Sequence, residues 1–298
     1  MIIKNRKRLR ALIVVLLALL ILGAIIYPFA TDDRLQTSYY TVCSSKIPAD
    51  FEGYKIAQVS DLHCREVAGL AGKIALEQPD IIILTGDIID EEASDNSTSY
   101  KLIDEIIGIA PVYEVTGNHE VWYNKYTDNK YRAYLDQKGV INTDCRSLPL
   151  KKDGGEIMLT GIVDTNILHD ATNDLVLQQI IGEMAPPLDT SKYNILLYHR
   201  SCQYYLLTEL QPDLILSGHL HGGMIRIPFV GGLVSPEKVV FPKYDGGHYL
   251  LDNNKNGKID FIVSRGLGSQ SRSPRIFNRP ELVIITLQTQ QTLQPGIS

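Results

Sequence analysis

The sequence predicts an α/β protein, with repeated strand–helix–strand units forming a mainly parallel sheet that carries helices outside. Three observations lead there. Short apolar runs alternate with helix-like stretches along the chain. The run Asp80–Thr85 (DIIILT) is almost wholly apolar, as in a strand buried on both faces. The tail is richer in strands than the rest, which predicts a second sheet packed on the first.

Taken in order, Lys4, Arg6, Lys7, Arg8 and Arg10 precede an apolar run from Ala11 to Ile26. This reads as a signal peptide or an N-terminal transmembrane helix, near the short end of the roughly 17–25 residues that span a bilayer. Tyr27 and Phe29 extend it to the interface. No small-x-small cleavage pattern follows cleanly, because Pro28 stands in the way. The expectation is a retained single-pass anchor over residues 1–30 in the cell membrane. The basic flank would stay in the cytoplasm and the following domain outside. The rival is a helix lying flat in the inner leaflet. Residues 31–50 read as linker and first strand, and residues 51–298 as one continuous domain.

Within it, strands are expected at Lys55–Ser60, Asp80–Thr85, Pro111–Thr116, Glu156–Val163, Tyr193–Tyr198 and Asp213–Ser217. Later strands are expected at His248–Leu251, Lys258–Ser264 and Glu281–Gln288. Helices are expected at Glu66–Gln78, where Pro79 stops the run, and at Tyr100–Ile109, Thr127–Lys138, Asp174–Met184 and Gln203–Leu210. The formal net charge of −5 argues against nucleic acid as a partner and suits a site that collects cations. Cys43, Cys64, Cys145 and Cys202 form no CxxC pair or zinc-finger spacing. They read as reduced, buried thiols.

The chemistry lies just after the strands. Asp61-Leu62-His63 follows the first, Gly86-Asp87 the second with Asp90 three further on, and Gly117-Asn118-His119-Glu120 the third. His199 and Gly218-His219-Leu220-His221 follow two later ones. Ligands bind open α/β sheets at the carboxyl ends of their strands, so these residues should meet. Carboxylate oxygen and neutral imidazole nitrogen suit divalent Mn, Fe, Zn or Ni. Glycines before Asp87, Asn118 and His219 allow tight turns there. Two ions about 3.5–4 Å apart can share a water and clamp a phosphoryl oxygen. One carboxylate must then bridge them, and Asp87 sits centrally among the motifs. Singly, Asp61 reads equally well as a helix N-cap and Asn118 as a turn residue. The ordered set of five is what carries the reading.

That set resembles the calcineurin-like metallophosphoesterase family, from about Lys55 to the C-terminus. Gly222-Gly223-Met224-Ile225-Arg226-Ile227-Pro228 and Ser264-Arg265-Gly266-Leu267-Gly268 resemble its bacterial YkuE-like, membrane-anchored branch. The resemblance implies a four-layer αββα sandwich and two divalent metal ions, Mn, Zn, Fe or similar. It implies that Asp61, His63, Asp87 and His221 hold the first ion, and Asp87, Asn118, His199 and His219 the second. It makes His119 the catalytic residue outside the ligand set, stabilising the transition state or protonating the leaving group. The implied reaction is hydrolysis of a phosphate ester, more specifically a diester, by metal-activated hydroxide, with a membrane or cell-envelope substrate. The alternatives are a phosphomonoesterase or nucleotide phosphatase, and a non-catalytic metal-binding protein. Leu220 stands where many relatives carry Thr, and Arg200 follows His199 where many carry proline.

Among other candidates, Arg265, Arg272, Arg275 and Arg279 could grip phosphate or simply face water. Asp252–Gly257 resembles a calcium loop but lacks the closing Glu, since Val263 stands there, and reads better as a hairpin turn. Trp122 and Tyr123 could line a substrate wall or pack in the core.

Overall fold

The computed structural model describes residues 13–18, 20, 21, 23, 26–126, 129–165, 174–253, 257–269 and 275–290. The basic flank, Thr127, His169, Asn254–Asn256 and Arg272 lie outside them, as do six of the sixteen residues of Ala11–Ile26. No helix among the described residues is long and apolar enough to cross a membrane. The expected transmembrane helix is therefore not seen, although the described residues of that run are helical and exposed.

Two six-stranded sheets make up the body. The first joins β1 (Gln36–Ser44), β2 (Lys55–Val59), β3 (Ile81–Leu84), β4 (Val112–Glu114) and β5 (Ile141–Asn142) with the last strand, β14 (Glu281–Thr289), in the order β1-β14-β2-β3-β4-β5. The second joins β6 (Arg146–Lys152), β7 (Gly155–Ile162), β8 (Asn194–Arg200) and β9 (Leu214–Gly218) with β12 (Gly247–Asp252) and β13 (Lys258–Val263), in the order β12-β13-β9-β8-β7-β6. A separate two-stranded hairpin pairs β10 (Ile225–Ile227) with β11 (Gly231–Val234). The central pairs are parallel: β2–β3–β4 in one sheet and β7–β8–β9 in the other. The second sheet thus begins at Arg146 rather than in the tail, and β14 returns antiparallel to β2.

Side-chain alternation explains the layers. Ile81 and Ile83 point between the sheets, against Ile195, Leu197, Leu214 and Leu216 of the second. Ile82 and Leu84 point outward, against Ile74 of α1 (Leu70–Glu77) and Ile103 of α2 (Ser97–Ile106). On the far side, Leu196, Ile215 and Phe261 meet Leu177 and Ile181 of α5 (Asp174–Met184) and Leu207 of α6 (Tyr204–Leu207). Three apolar layers separate four structural ones, helix–sheet–sheet–helix, which is why β3 is apolar on both faces.

Element ends differ from expectation for local reasons. α1 begins at Leu70 because Gly69 is left-handed (φ 76°), and it stops because Gln78 is left-handed too (φ 51°). Two further helices are α3 (Asn118–Tyr126), which starts inside a stretch that reads as a loop, and α4 (Lys130–Lys138). The expected Gln203–Leu210 helix is a short α-turn flanked by 3₁₀ turns. β6 has no strand signal because it contains Pro149 and three lysine or arginine residues. It is an edge strand, where Pro costs no ladder bond. The antiparallel register Asp252↔Lys258 supports the hairpin reading of the loop between them.

Candidate metal centre

Every motif residue sits at a strand's carboxyl end. Asp61 and His63 follow β2, Asp87 follows β3, and Asn118 and His119 open α3 after β4. His199 lies at the end of β8, and His219 and His221 follow β9. Three strands of the first sheet and two of the second therefore deliver these groups to one edge, and all eight are buried. The sheets are fastened together at that edge. Gln58 Nε2 donates to Thr85 Oγ1 (3.1 Å) and across to the Ser217 carbonyl (2.9 Å). The His219 amide donates to Asp61 Oδ1 (3.0 Å).

The backbone is strained here. Asp61, His63, Asp87, His219 and His221 all have φ between 47° and 76°, a region that non-glycine residues enter rarely and at a cost of order 1–3 kcal/mol each. Such clustering is characteristic of functional sites. Gly86 is required by the same crowding: it has φ +91°, and a Cβ there would lie 2.7 Å from both Gly117 Cα and His199 Nδ1.

The outward hydrogen bonds fix which imidazole nitrogen faces the centre. His199 Nδ1 lies 2.7 Å from the Thr85 carbonyl and His221 Nδ1 lies 3.2 Å from the Gly268 carbonyl. A carbonyl only accepts, so both Nδ1 atoms carry a proton and both Nε2 atoms are the ones turned inward. His219 Nε2 lies 3.0 Å from Glu237 Oε1, leaving its Nδ1 lone pair inward. These inward atoms crowd one another: His63 Nε2 and His221 Nε2 are 3.2 Å apart, as are His199 Nε2 and His219 Nδ1. Two such nitrogens approach this closely only with a proton or a metal cation between them. Carboxylates supply the matching field, since Asp87 Oδ2 is 3.0 Å from His199 Nε2 and Asp61 Oδ1 is 3.7 Å from His221 Nε2. Burial disfavours charge on His199, but Asp87 and Asp61 outweigh it and raise its pKa to about 10. Burial pushes His221 down to about 3 and lowers His219 as well, so both stay neutral donors.

Five groups of donor atoms lie within 4.8 Å mutually among the described residues; three consist of motif residues alone, Asp61–His63–His221, Asp87–His199–His219 and His63–Asp87–His119, and the others are Asp90–Glu91–His119 and Cys202–His219–Glu237. Asp87 stands between the first and second, 3.7 Å from His63 Nε2. Asn118 Oδ1 is buried with no hydrogen-bond partner, an acceptor suited to a cation. The donors are imidazole and carboxylate with one amide oxygen, and they fit two borderline divalent ions.

His119 packs against His63, ring centroids 4.4 Å apart, and has carboxylate partners of its own. Its amide donates to Asp87 Oδ1 (2.9 Å), its Nδ1 faces Asp90 Oδ1 (3.6 Å) and contacts Glu91, and its Nε2 is 3.8 Å from Asp87 Oδ2. Burial opposes its protonation, yet Asp87, Asp90 and Glu91 raise its pKa well above the usual value. The Trp122 ring lies 5.3 Å from the His119 ring, so it walls the site, whereas Tyr123 packs on the helix-side core.

Some supporting residues escape sequence reasoning. Glu120 accepts from the amides of Asp87 (2.7 Å), Ile88 (2.7 Å), Ile89 (3.1 Å) and Gly117 (2.9 Å), joining two motif turns. Its place in GNHE was the available signal. Glu237, beside His219, lies in a turn without any motif. Arg200 bonds buried Asp164 (2.7 Å) and reaches His219 Nε2 and Glu237 Oε1, both at 3.1 Å. Among the described residues, the tail arginines Arg265, Arg275 and Arg279 do not converge on the site. Arg265 pairs with Glu281 (2.8 Å), and Arg279 bonds the Arg34 carbonyl (2.8 Å) and lies 3.3 Å from Asp32. Buried Arg275 donates to the carbonyls of Gly268, Arg265, Gly266, Asn278 and Arg279. All four cysteines are free as expected, but Cys43 and Cys145 are exposed rather than buried.

Residues 54–223 match the calcineurin-like phosphoesterase family, more than half of the chain. The chain belongs to that family. It is a hydrolase of phosphoric esters, and the family works with a dinuclear divalent metal centre. Over 270 residues it is 29% identical to the uncharacterized metallophosphoesterase YkuE of Bacillus subtilis, covering 86% of each chain. It is 24% identical over 243 residues to the phosphodiesterase YaeI of Escherichia coli, covering 78% of this chain and 82% of that one. Among solved structures, the phosphopantetheinyl hydrolase PptH of Mycobacterium tuberculosis aligns at TM-score 0.47 and 14% identity, over 83% of this chain and 99% of that one.

Proposed function

We propose that this phosphoesterase is a phosphodiesterase tethered at a membrane, with Asp61, His63, Asp87 and His221 holding one divalent ion and Asp87, Asn118, His199 and His219 the other. The observation that carries the metal assignment is the two pairs of inward imidazole nitrogens, His63–His221 and His199–His219, 3.2 Å apart in each case, in which His199 and His221 commit their outer nitrogens to backbone carbonyls. When bound, the ions would activate water and neutralise phosphoryl charge. The chain's own residues do the rest. Glu120 holds the Asp87 and Gly117 turns in register, and Glu237 keeps the His219 proton on Nε2. His119 is locked by Asp90 and Glu91 with Nε2 directed to the centre. There it carries a proton for the departing oxygen, which a diester's poor leaving group needs most. The resemblance to a phosphodiesterase in Escherichia coli supports the same preference. The exposed apolar side chains of the N-terminal run, from Ile13 to Phe29, support the tether. Its basic flank favours an extracytoplasmic domain, and a membrane or envelope phosphodiester is the corresponding substrate.

The test is hydrolysis of an aryl phosphodiester and the matching monoester by the full chain, stripped of metal and refilled with Mn, Zn, Fe or Mg. Refilling should restore activity that His219→Ala lacks. His119→Ala should cut diester cleavage by about 10²–10⁴-fold and monoester cleavage less. Metal binding without cleavage of either ester would overturn the proposal.

A further inference from the structure

The hairpin that follows the metal centre carries an apolar surface. At its tip, residues 227–230 (Ile-Pro-Phe-Val) are all exposed, Phe229 completely so. The next loop folds back on β11 through Phe241 N–Leu233 O (2.9 Å) and a Val234–Val240 bridge. That loop exposes Val239, Val240 and Phe241, so a second apolar segment is hydrogen-bonded to the same hairpin. Phe229 and Phe241 are also left-handed, with φ 67° and 51°. A bulky aromatic is held there only at a cost. An exposed apolar patch on a soluble face marks contact with something apolar.

Two connections say what covers it. The first runs to the metal centre. β10 leaves two residues after Gly222-Gly223, Arg226 Nη1 bonds the Gly222 carbonyl (2.8 Å), and Glu237, two residues before Val239, touches His219. The patch therefore grows from the rim of the site. The second runs to the N-terminal apolar run. The Arg226 amide bonds the Ile276 carbonyl (2.9 Å), and the adjacent Phe277 amide bonds the Ala30 carbonyl (2.6 Å). The run thus enters the domain beside the root of the hairpin, and Phe277 lines one shallow groove with Phe229, Val230 and Tyr249. Exposed Lys238 stands between the apolar segments, and Lys243 lies 4.6 Å over the Tyr244 ring. Cations and tyrosines of this kind sit at the headgroup level of an anionic bilayer.

We propose that residues 227–230 and 239–241 form a membrane-docking element that dips into the interface of an anionic phospholipid bilayer beside the N-terminal run. The rim of the metal centre then faces the headgroups, and the substrate class is a phosphoester whose apolar part stays in the bilayer. The substrate clause rests on the phosphodiesterase reading, whereas the docking clause does not.

The full chain would be reconstituted in phosphatidylcholine–phosphatidylglycerol vesicles brominated along the acyl chains, with Phe229→Trp compared against the parent, whose one tryptophan is Trp122. The added tryptophan should be blue-shifted and strongly quenched by bromine, while the parent is not. Emission that stays open to aqueous acrylamide and unquenched by bromine would overturn docking. So would shielding that rises with protein concentration without bromine quenching, the signature of a second copy on the patch. A Phe229→Asp, Val240→Asp variant should lose about tenfold on a vesicle-embedded phosphodiester, equivalent to about 1.4 kcal/mol. It should stay within about twofold on a soluble aryl diester, because neither side chain touches the centre. Equal activity on both substrates would overturn the substrate clause. If the parent cleaves neither ester, the phosphodiesterase reading fails while bromine quenching still decides docking.

Discussion

Removing the Glu237 carboxylate should weaken one metal ion and spare the other. Glu237 Oε1 and Arg200 Nη1 both lie beside His219 Nε2, at 3.0 Å and 3.1 Å. They want opposite tautomers: the carboxylate needs a proton on Nε2, whereas the guanidinium offers one to a bare Nε2. With Glu237 present its charge prevails, and its hydrogen bond with His219 holds its pKa near 2 against partial burial. The His219 Nδ1 lone pair then faces His199. Without Glu237, Arg200 stabilises the tautomer protonated on Nδ1, which has no lone pair for a cation. Loss of an outer partner of this kind lowers metal affinity about 10–100-fold. Since about a third of the Glu237 side chain is exposed, water softens the loss, and about tenfold is expected for Glu237→Ala. Glu237→Gln still offers an oxygen to Nε2–H and should lose about threefold. Calorimetric titration of the stripped chain against a competing chelator would resolve two binding events, with only one weakened. Unchanged affinity in Glu237→Ala, or equal losses in both variants, would refute the tautomer argument.

Other outcomes follow from packing and charge. Gly86→Ala forces a Cβ against Gly117 and His199 at an unfavourable φ and should destabilise by about 2–4 kcal/mol, read by urea unfolding, with loss of hydrolysis in the folded fraction. Arg275→Leu leaves several buried carbonyls without a donor and should cost about 3–5 kcal/mol, while KM of the surviving fold stays near the parent value. Burial and Asp144 push the buried Glu114 carboxyl up to about 8, against Arg132. An acid whose folded pKa is raised stabilises below its ordinary value, and that contribution is lost as pH rises through the folded one. Melting temperature should therefore fall between about pH 4.5 and 8 more steeply in the parent than in Glu114→Gln. Parallel profiles would refute this.

Much of the site was legible because its signals are local. A strand buried on both faces must be nearly all apolar, and a ligand loop must follow it at once, so DIIILT-GD, GNHE and GHLH announced both element and chemistry. The helix-period stretches Tyr100–Ile109 and Asp174–Met184 were close to the observed α2 and α5 for the same reason. β6 was not legible, because an edge strand tolerates Pro149 and needs burial on only one face.

The sequence by itself therefore determined which strands exist at the core, which residue follows each, and that those residues are metal-binding in kind. Only the tertiary structure decided how they combine. It divided the strands into two sheets, turned the carboxyl ends of both to one edge, and thereby set Asp87 between His63 and His199. It also brought Glu237 to His219 and gave Arg265, Arg275 and Arg279 local partners away from a phosphate role. The physical reason is range. Periodicity and turn chemistry act over a few residues, whereas a carboxylate meets an imidazole eighteen residues away only after the hairpin between them has folded back on the sheet.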